Sequence, residues 1–204
     1  MKSLFNIDSP FMAFLSRIAD LIILNLLTIL CCIPIVTIGA SITSMYYVAN
    51  RLLKDETRFV TKDFFHSFKM NFCQASLLSL IYLVVVLALG VEYYWIYVVK
   101  LQSIVNLKYL VFAATAFVVL ALPWSFILLS RYQNRAGRIL INSLCLVFTE
   151  LPKSLLIAVL AAAPIILTIL WMPFTPVALL LGFSLSGYLQ AFLFSKVFKK
   201  MEHC

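Results

Sequence analysis

Long apolar runs, separated by short polar segments, are the dominant pattern along this chain. The first run covers residues 18–50, about 33 positions, whereas about 20 residues rising 1.5 Å each are enough to cross a bilayer. Pro34 and Gly39 interrupt this run near its middle. Because proline lacks a backbone donor and glycine tolerates a positive φ, the two residues predict a tight turn between two helices. The pattern therefore predicts helices at about 17–35 and 40–53, the second of which is short.

Four further apolar runs, each bounded by charge, proline or aromatic residues, predict four more helices. They lie at about 74–98, 110–129, 154–172 and 176–194. The predicted fold class is all-α, a polytopic integral membrane helix bundle with its transmembrane helices in hairpins. The chain forms a single membrane domain over residues 1–204. There are six spans if the helix at 40–53 crosses the membrane, and five if it only re-enters.

Composition supports this class and excludes a large soluble domain. Hydrophobic residues make up 64% of the chain and charged residues 12%, whereas globular proteins have roughly 45–50% and 25%. The net charge of +8 resembles a nucleic-acid footprint until its placement is considered. With the N-terminus inside, every Lys and Arg except Lys100 and Lys108 falls in a predicted inner segment. The distribution predicts cytoplasmic N- and C-termini and no nucleic-acid partner.

The segment 54–72, between the second and third predicted helices, has an aromatic stripe. Its phenylalanines recur at helical spacing, at Phe64, Phe65, Phe68 and Phe72. Lys and His residues occupy the remaining positions, which is typical of a helix lying on a membrane surface with its basic residues toward anionic headgroups. The segment is therefore predicted to be an interfacial amphipathic helix on the inner leaflet. It can equally serve as a plain connector, or as a docking surface for a cytoplasmic partner.

Polar residues inside apolar helices are the candidates for structure or function, because a polar group in the bilayer needs a partner. Arg17 and Asp20 have the i, i+3 spacing of an ion pair on one helix. The dipeptide Asn50-Arg51 ends one predicted helix and Asn134-Arg135 follows another, which indicates a faint parallel repeat. The candidate polar positions are Arg17, Asp20, Asn25, Asn50, Arg51, Asn134, Arg135 and Gln190.

Sequence motifs for catalysis are missing from the chain. It contains no phosphate-binding G-x-x-x-x-G-K-[ST], no H-E-x-x-H zinc motif and no G-x-S-x-G nucleophile motif. None of the five cysteines forms a C-x-x-C pair. The sequence therefore predicts no catalytic residue, no metal and no cofactor, and a protein that is not an enzyme.

Two stretches within residues 11–75 resemble a known family. FMAFLSRIADLIILNLLTILCCIPIVTIGASITSMYYV and KDFFHSFKMNFCQA are similar to the YesL family, domain of unknown function 624, which comprises small polytopic bacterial membrane proteins. The resemblance implies a multi-pass location in the bacterial plasma membrane and an association with carbohydrate-uptake ABC transporters. It offers no catalytic residues to carry over. The expected partners are membrane lipids and a sugar ABC transporter complex.

Three functions follow from these observations. The first is a non-catalytic accessory or assembly factor associated with carbohydrate uptake, which the resemblance and the scarcity of intramembrane charge favour. The second is a small solute transporter or channel, for which Asn25 and Gln190 supply polar groups. The third is an intramembrane lipid-modifying enzyme, which needs converging acid, base or metal groups that the sequence does not reveal.

Overall fold

The computed structural model describes residues 10–97, 105–132, 136–171, 173 and 175–202. All regular structure in these residues is helical, which confirms the predicted fold class. Seven helices follow one another in the described part of the chain. They are α1 (Pro10–Cys32), α2 (Ile38–Leu53), α3 (Val60–Tyr97), α4 (Val105–Arg131), α5 (Ala136–Thr149), α6 (Leu151–Leu170) and α7, which joins Thr175–Val177, a π-helical Ala178–Gly182 and Phe183–Glu202.

Five of these helices are long and apolar enough to cross a membrane, namely α1, α3, α4, α6 and α7. Helix α2 has only 16 residues, which gives a length of about 24 Å against a hydrocarbon core of about 30 Å. Large apolar side chains such as Leu87, Phe112 and Ile169 are exposed on the outer surfaces of the long helices. The structure is that of a polytopic membrane protein with five candidate spans.

Helix α2 is the central helix of the bundle, although it is too short to count as a span. It contacts α1, α3, α4 and α7, and most of its side chains are buried. Its small polar residues are satisfied within the bundle. Ser41 Oγ donates to the Thr28 carbonyl of α1 at 2.8 Å, and Thr43 Oγ1 donates to the Gly39 carbonyl at 2.7 Å. These bonds remove the cost of burying hydroxyl groups in an apolar environment.

The turn between α1 and α2 forms where proline predicts it, but Gly39 has a different role from the expected one. Thr37 Oγ1 closes the turn by donating to the Cys31 carbonyl at 2.7 Å and the Pro34 carbonyl at 2.8 Å. No described glycine has a positive φ. Gly39 lies in the first turn of α2 against α3, where an added Cβ would stand 2.5 Å from the Ala75 carbonyl oxygen. Glycine is needed there for close helix packing.

The prediction of a separate surface helix at 54–72, followed by a span at 74–98, is wrong. Helix α3 is continuous over 38 residues, or about 57 Å, which is almost twice the hydrocarbon thickness. The junction at residues 72–75 contains no glycine or proline, so nothing interrupts the backbone hydrogen-bond ladder. The phenylalanine-rich segment is therefore the N-terminal part of α3.

The four phenylalanines of this segment divide between the core and the surface. Phe64 is completely buried and Phe68 packs partly buried against the core. Phe65 and Phe72 are exposed. The interfacial assignment is therefore wrong for Phe64, and for the exposed pair it stays a prediction.

Helix α5 lies in a region where the sequence pattern predicts only a connection between two spans. It lies against α4, where Ser125 Oγ donates to Ser143 Oγ at 2.9 Å and the rings of Phe117 and Phe148 have centroids 5.0 Å apart. Pro152 lies in the first turn of α6, where its missing N–H leaves no backbone bond unmade. The chain therefore ends α5 at Thr149 and begins α6 almost immediately.

Candidate functional site

A cleft of about 520 Å³ lies between α1, α2, α4, α6 and α7. Ligand-binding pockets have volumes of roughly 300–1,000 Å³ and mostly apolar walls with a few polar groups. The cleft has this character. Its walls are formed by Thr28, Ile29, Cys32, Ile33, Ile42, Met45, Tyr46, Leu122, Pro123, Phe126, Ala161, Ile165, Phe183, Ser186 and Gln190.

A buried hydrogen bond between α2 and α7 forms the polar part of this wall. The Tyr46 hydroxyl donates to Gln190 Oε1 at 2.6 Å, and the two residues are 5% and 1% exposed. The helices approach closely because Gly187 faces Met45, whose methyl carbon would lie 2.8 Å from an added Cβ. Gln190 is thus one sequence candidate that the structure places at the cleft.

Tyr46 also lines a second, much smaller cavity. This cavity has a volume of about 20 Å³, and its polar lining residues include Asn50, Ser130 and Arg131. Tyr46 therefore belongs to the walls of both cavities. Asn50, another sequence candidate, belongs to the small cavity and not to the cleft.

Asn25 of α1 stabilises the π-helical segment of α7. Its Nδ2 donates to the carbonyls of Leu179 at 2.7 Å and Ala178 at 3.4 Å, and its Oδ1 accepts from the Ser184 backbone N–H at 2.8 Å. A π-helical turn leaves backbone groups without their usual α-helical partners. Asn25 supplies those partners, so its carboxamide holds α7 in register on α1.

Arg17 forms its ion pair with Asp55 and not with the predicted partner Asp20. The Arg17 guanidinium also donates to the Leu52 carbonyl at the end of α2. The fold brings Leu52 and Asp55 to the guanidinium because α1 and α2 are antiparallel, a contact that spacing along one helix cannot reveal. Asp20 lines a neighbouring polar cavity of about 240 Å³ together with Arg17 and Asp55.

Arg51 holds the loop that follows α2. Its guanidinium forms an ion pair with Asp63 Oδ1 at 3.1 Å, donates to the Glu56 carbonyl at 2.9 Å and contacts the Tyr47 hydroxyl at 3.4 Å. Asn134 and Arg135, the corresponding dipeptide of the faint repeat, lie outside the described residues.

Replacing Arg51 with glutamine is expected to loosen the loop at residues 54–59, because the ion pair to Asp63 and the bond to the Glu56 carbonyl are both lost. Cleavage by chymotrypsin after the exposed Phe59 should become about threefold faster or more, in line with the small energies of partly exposed ion pairs. Limited proteolysis of the purified protein measures this. Lys69→Gln, on an exposed position of α3, is the control, and equal rates for both variants would contradict the assignment.

Several buried polar contacts were not found from the sequence. Trp124 Nε1 of α4 donates to Ser154 Oγ of α6 at 2.8 Å. The hydroxyl groups of Tyr82 and Ser125 lie 2.6 Å apart and join α3 to α4. The available signal was a polar atom inside an apolar run, since such atoms need partners in a membrane. The sequence shows the need for a partner but not the partner itself.

The side chains at the cleft are suited to binding and to helix packing. Among the described residues, no group of three or more His, Cys, Asp or Glu side chains is placed to hold a metal ion. The cleft offers apolar walls, with hydroxyl and amide groups at Thr28, Tyr46, Ser186 and Gln190. Such a surface can hold a largely apolar molecule and orient it through a small number of hydrogen bonds.

Comparison with known proteins identifies one family. The family described as "Protein of unknown function, DUF624" matches residues 21–93, which extend from α1 through α2 into most of α3. No curated protein and no solved structure matches the chain. The match covers a little over a third of the sequence and agrees with the resemblance found in residues 11–75. Over residues 21–93, this chain is therefore similar to the DUF624 family of unknown function.

Proposed function

We propose that this protein is a non-catalytic accessory or assembly factor of another membrane complex, associated with ABC-type carbohydrate uptake in the bacterial plasma membrane. One observation carries the proposal. Several buried polar side chains join the helices by bonding to one another or to backbone groups, as Asn25, Tyr46 with Gln190, and Trp124 with Ser154 do.

These bonds support a scaffold better than a solute path. A path for sugars needs polar groups that can exchange partners with a passing solute, whereas the Asn25 carboxamide is fully engaged with α7. In a membrane, such interhelical bonds stabilise helix association. In the described part of the bundle, many of the intramembrane polar side chains are therefore engaged in hydrogen bonds between helices.

The proposed partner and orientation rest on the family resemblance and on charge. The resemblance of residues 11–75 to the YesL family implies the sugar ABC transporter as partner, and the basic residues support cytoplasmic termini. At the start of α3, Lys62 and Lys69 are exposed together with Phe65. This mixed surface suits anionic headgroups or an acidic protein at the inner face.

A small transporter is the second candidate, because Tyr46 lines two cavities between the helices. The third function, a lipid-modifying enzyme, gains no specific support from the described residues.

Flux measurements in liposomes separate the first two candidates. Liposomes that contain only this purified chain should take up labelled mono- and disaccharides no faster than protein-free liposomes. In cells, removing the protein should lower the amount of assembled sugar transporter recovered in mild detergent, with synthesis of its subunits unchanged. Sugar flux through the isolated chain that Gln190→Leu abolishes would contradict the accessory function and favour a transporter.

A further inference from the structure

We propose that the cleft between α1, α2, α4, α6 and α7 binds the acyl chain of a lipid, with Gln190 donating a hydrogen bond to the acyl oxygen. This assigns a ligand to the cleft and holds whether or not the protein assists a transporter.

The position of the cleft determines which molecules reach it. Four of its five helices, α1, α4, α6 and α7, are candidate membrane spans, and their cleft-lining residues lie within or beside the apolar span segments. The medium around these segments is hydrocarbon and not water. Lipid chains are therefore the molecules present at the highest concentration beside Ile33 and Ile165, both exposed at the cleft wall.

The size and polarity of the cleft favour a hydrocarbon occupant. Protein interiors are close-packed, so the apolar walls of a cleft of about 520 Å³ favour an occupant that gives them dispersion contacts. Water does not readily fill an apolar cavity, because it finds too few hydrogen-bond partners there. A flexible acyl chain restores the contacts with Met45, Leu122 and Phe183 at no desolvation cost.

Gln190 provides the specific polar feature. Its Oε1 accepts from Tyr46, while its amide nitrogen has no hydrogen-bond acceptor within the described part of the chain. The side chain is 1% exposed and lines the cleft. An amide N–H at an otherwise apolar wall gains from an acceptor, so a ligand that brings one is favoured. An ester or acid oxygen on an otherwise apolar chain meets this requirement.

A sugar does not fit the same walls. It carries a hydroxyl on most carbons, and each hydroxyl moved into an apolar site without a partner is costly. Of the polar cleft residues, Thr28 already donates to the Leu24 carbonyl at 2.7 Å and Ser186 to the Phe183 carbonyl at 3.0 Å. The cleft therefore selects against carbohydrates, even if the protein acts near sugar import.

Photo-crosslinking with a defined probe tests the proposal. The purified full-length protein in nanodiscs is irradiated with the methyl ester of a fatty acid that carries a diazirine in its chain, and labelled peptides are identified by mass spectrometry. Labelling should concentrate on residues 29–33 and 183–190. Ala161→Phe, which fills the cleft, should reduce labelling there about tenfold by displacing several methylene groups. Val159→Phe, on the exposed side of α6, should leave it unchanged.

A second probe isolates the role of Gln190. An alkane of equal length with the same diazirine lacks the acyl oxygen, so wild-type protein should be labelled several-fold more strongly by the ester. Gln190→Leu should remove this preference while alkane labelling persists, which also shows that the variant is folded. Even labelling of all lipid-facing helices, unaffected by Ala161→Phe, would overturn the proposal. The proposal would also be overturned if neither probe labelled the cleft and Ala161→Phe changed the mass of the oligomer. The cleft would then hold a protein segment.

Discussion

Replacing Asn25 with leucine is expected to lower the free energy of unfolding by about 3 kcal/mol, because buried polar groups left without partners cost about 1–3 kcal/mol each. Asn25 bonds to two carbonyls and one N–H of the α7 backbone, all at the π-helical segment or directly after it. Leucine has a similar volume but offers no donor or acceptor. The Leu179 carbonyl and the Ser184 N–H would then lie unpaired against an apolar side chain.

Thr28→Val is the matched control for Asn25→Leu. Thr28 is also buried in α1, but its hydroxyl donates only to the Leu24 carbonyl of its own helix, so the loss should stay below about 1 kcal/mol. Unfolding by sodium dodecyl sulfate in mixed micelles, followed by circular dichroism, measures both variants. Similar stabilities would show that Asn25 does not hold α7. A stable Asn25→Leu variant whose α7 has shifted to a regular α-helix would show that the bonds select the π-helical register.

The long helices could be predicted from the sequence because a bilayer permits few backbone structures. Runs such as 110–129 and 154–172 need no partner to be recognised, since a helix satisfies its own backbone hydrogen bonds. The predicted helix boundary between 54–72 and 74–98 was wrong for a related reason. The change from charged to apolar residues there marks a change in the environment of the helix. It does not mark a break in the helix, because no glycine or proline lies at that point.

The candidate site was only half predictable. Asn25 and Gln190 could be identified because an amide inside an apolar run demands a partner. Their partners could not, since Gln190 meets Tyr46 across 144 positions of sequence and Asn25 meets a π-helical segment. Adjacent tyrosines at 46 and 47 give no indication of which one faces the bundle. The cleft depends on the packing of five helices, which no local pattern encodes.

Replacing Gly39 with alanine is expected to destabilise the protein by about 3 kcal/mol, at the upper end of the usual cost of overpacking a core. The added methyl group would overlap Ser79 Oγ and stand 2.5 Å from the Ala75 carbonyl oxygen and 2.9 Å from a ring carbon of Phe126. Ser79 can rotate, but the Ala75 carbonyl belongs to the backbone of α3. Helix α2 must therefore move away from α3. Because α2 is the central helix, this movement also disturbs its contacts with α1, α4 and α7.

Two further variants locate the source of this loss. Gly90→Ala, on α3 where no atom lies within 4 Å of an added Cβ, should leave stability unchanged or raise it by up to about 1 kcal/mol through helix propensity. Ser79→Ala combined with Gly39→Ala should recover only part of the stability, because the clash with the Ala75 carbonyl remains. The same unfolding measurement in micelles serves for all three. Full recovery of stability in the double variant would assign the cost to the Ser79 side chain. If Gly39→Ala alone left the stability unchanged, this would contradict the close contact of α2 with α3. The central position of α2 depends on that contact.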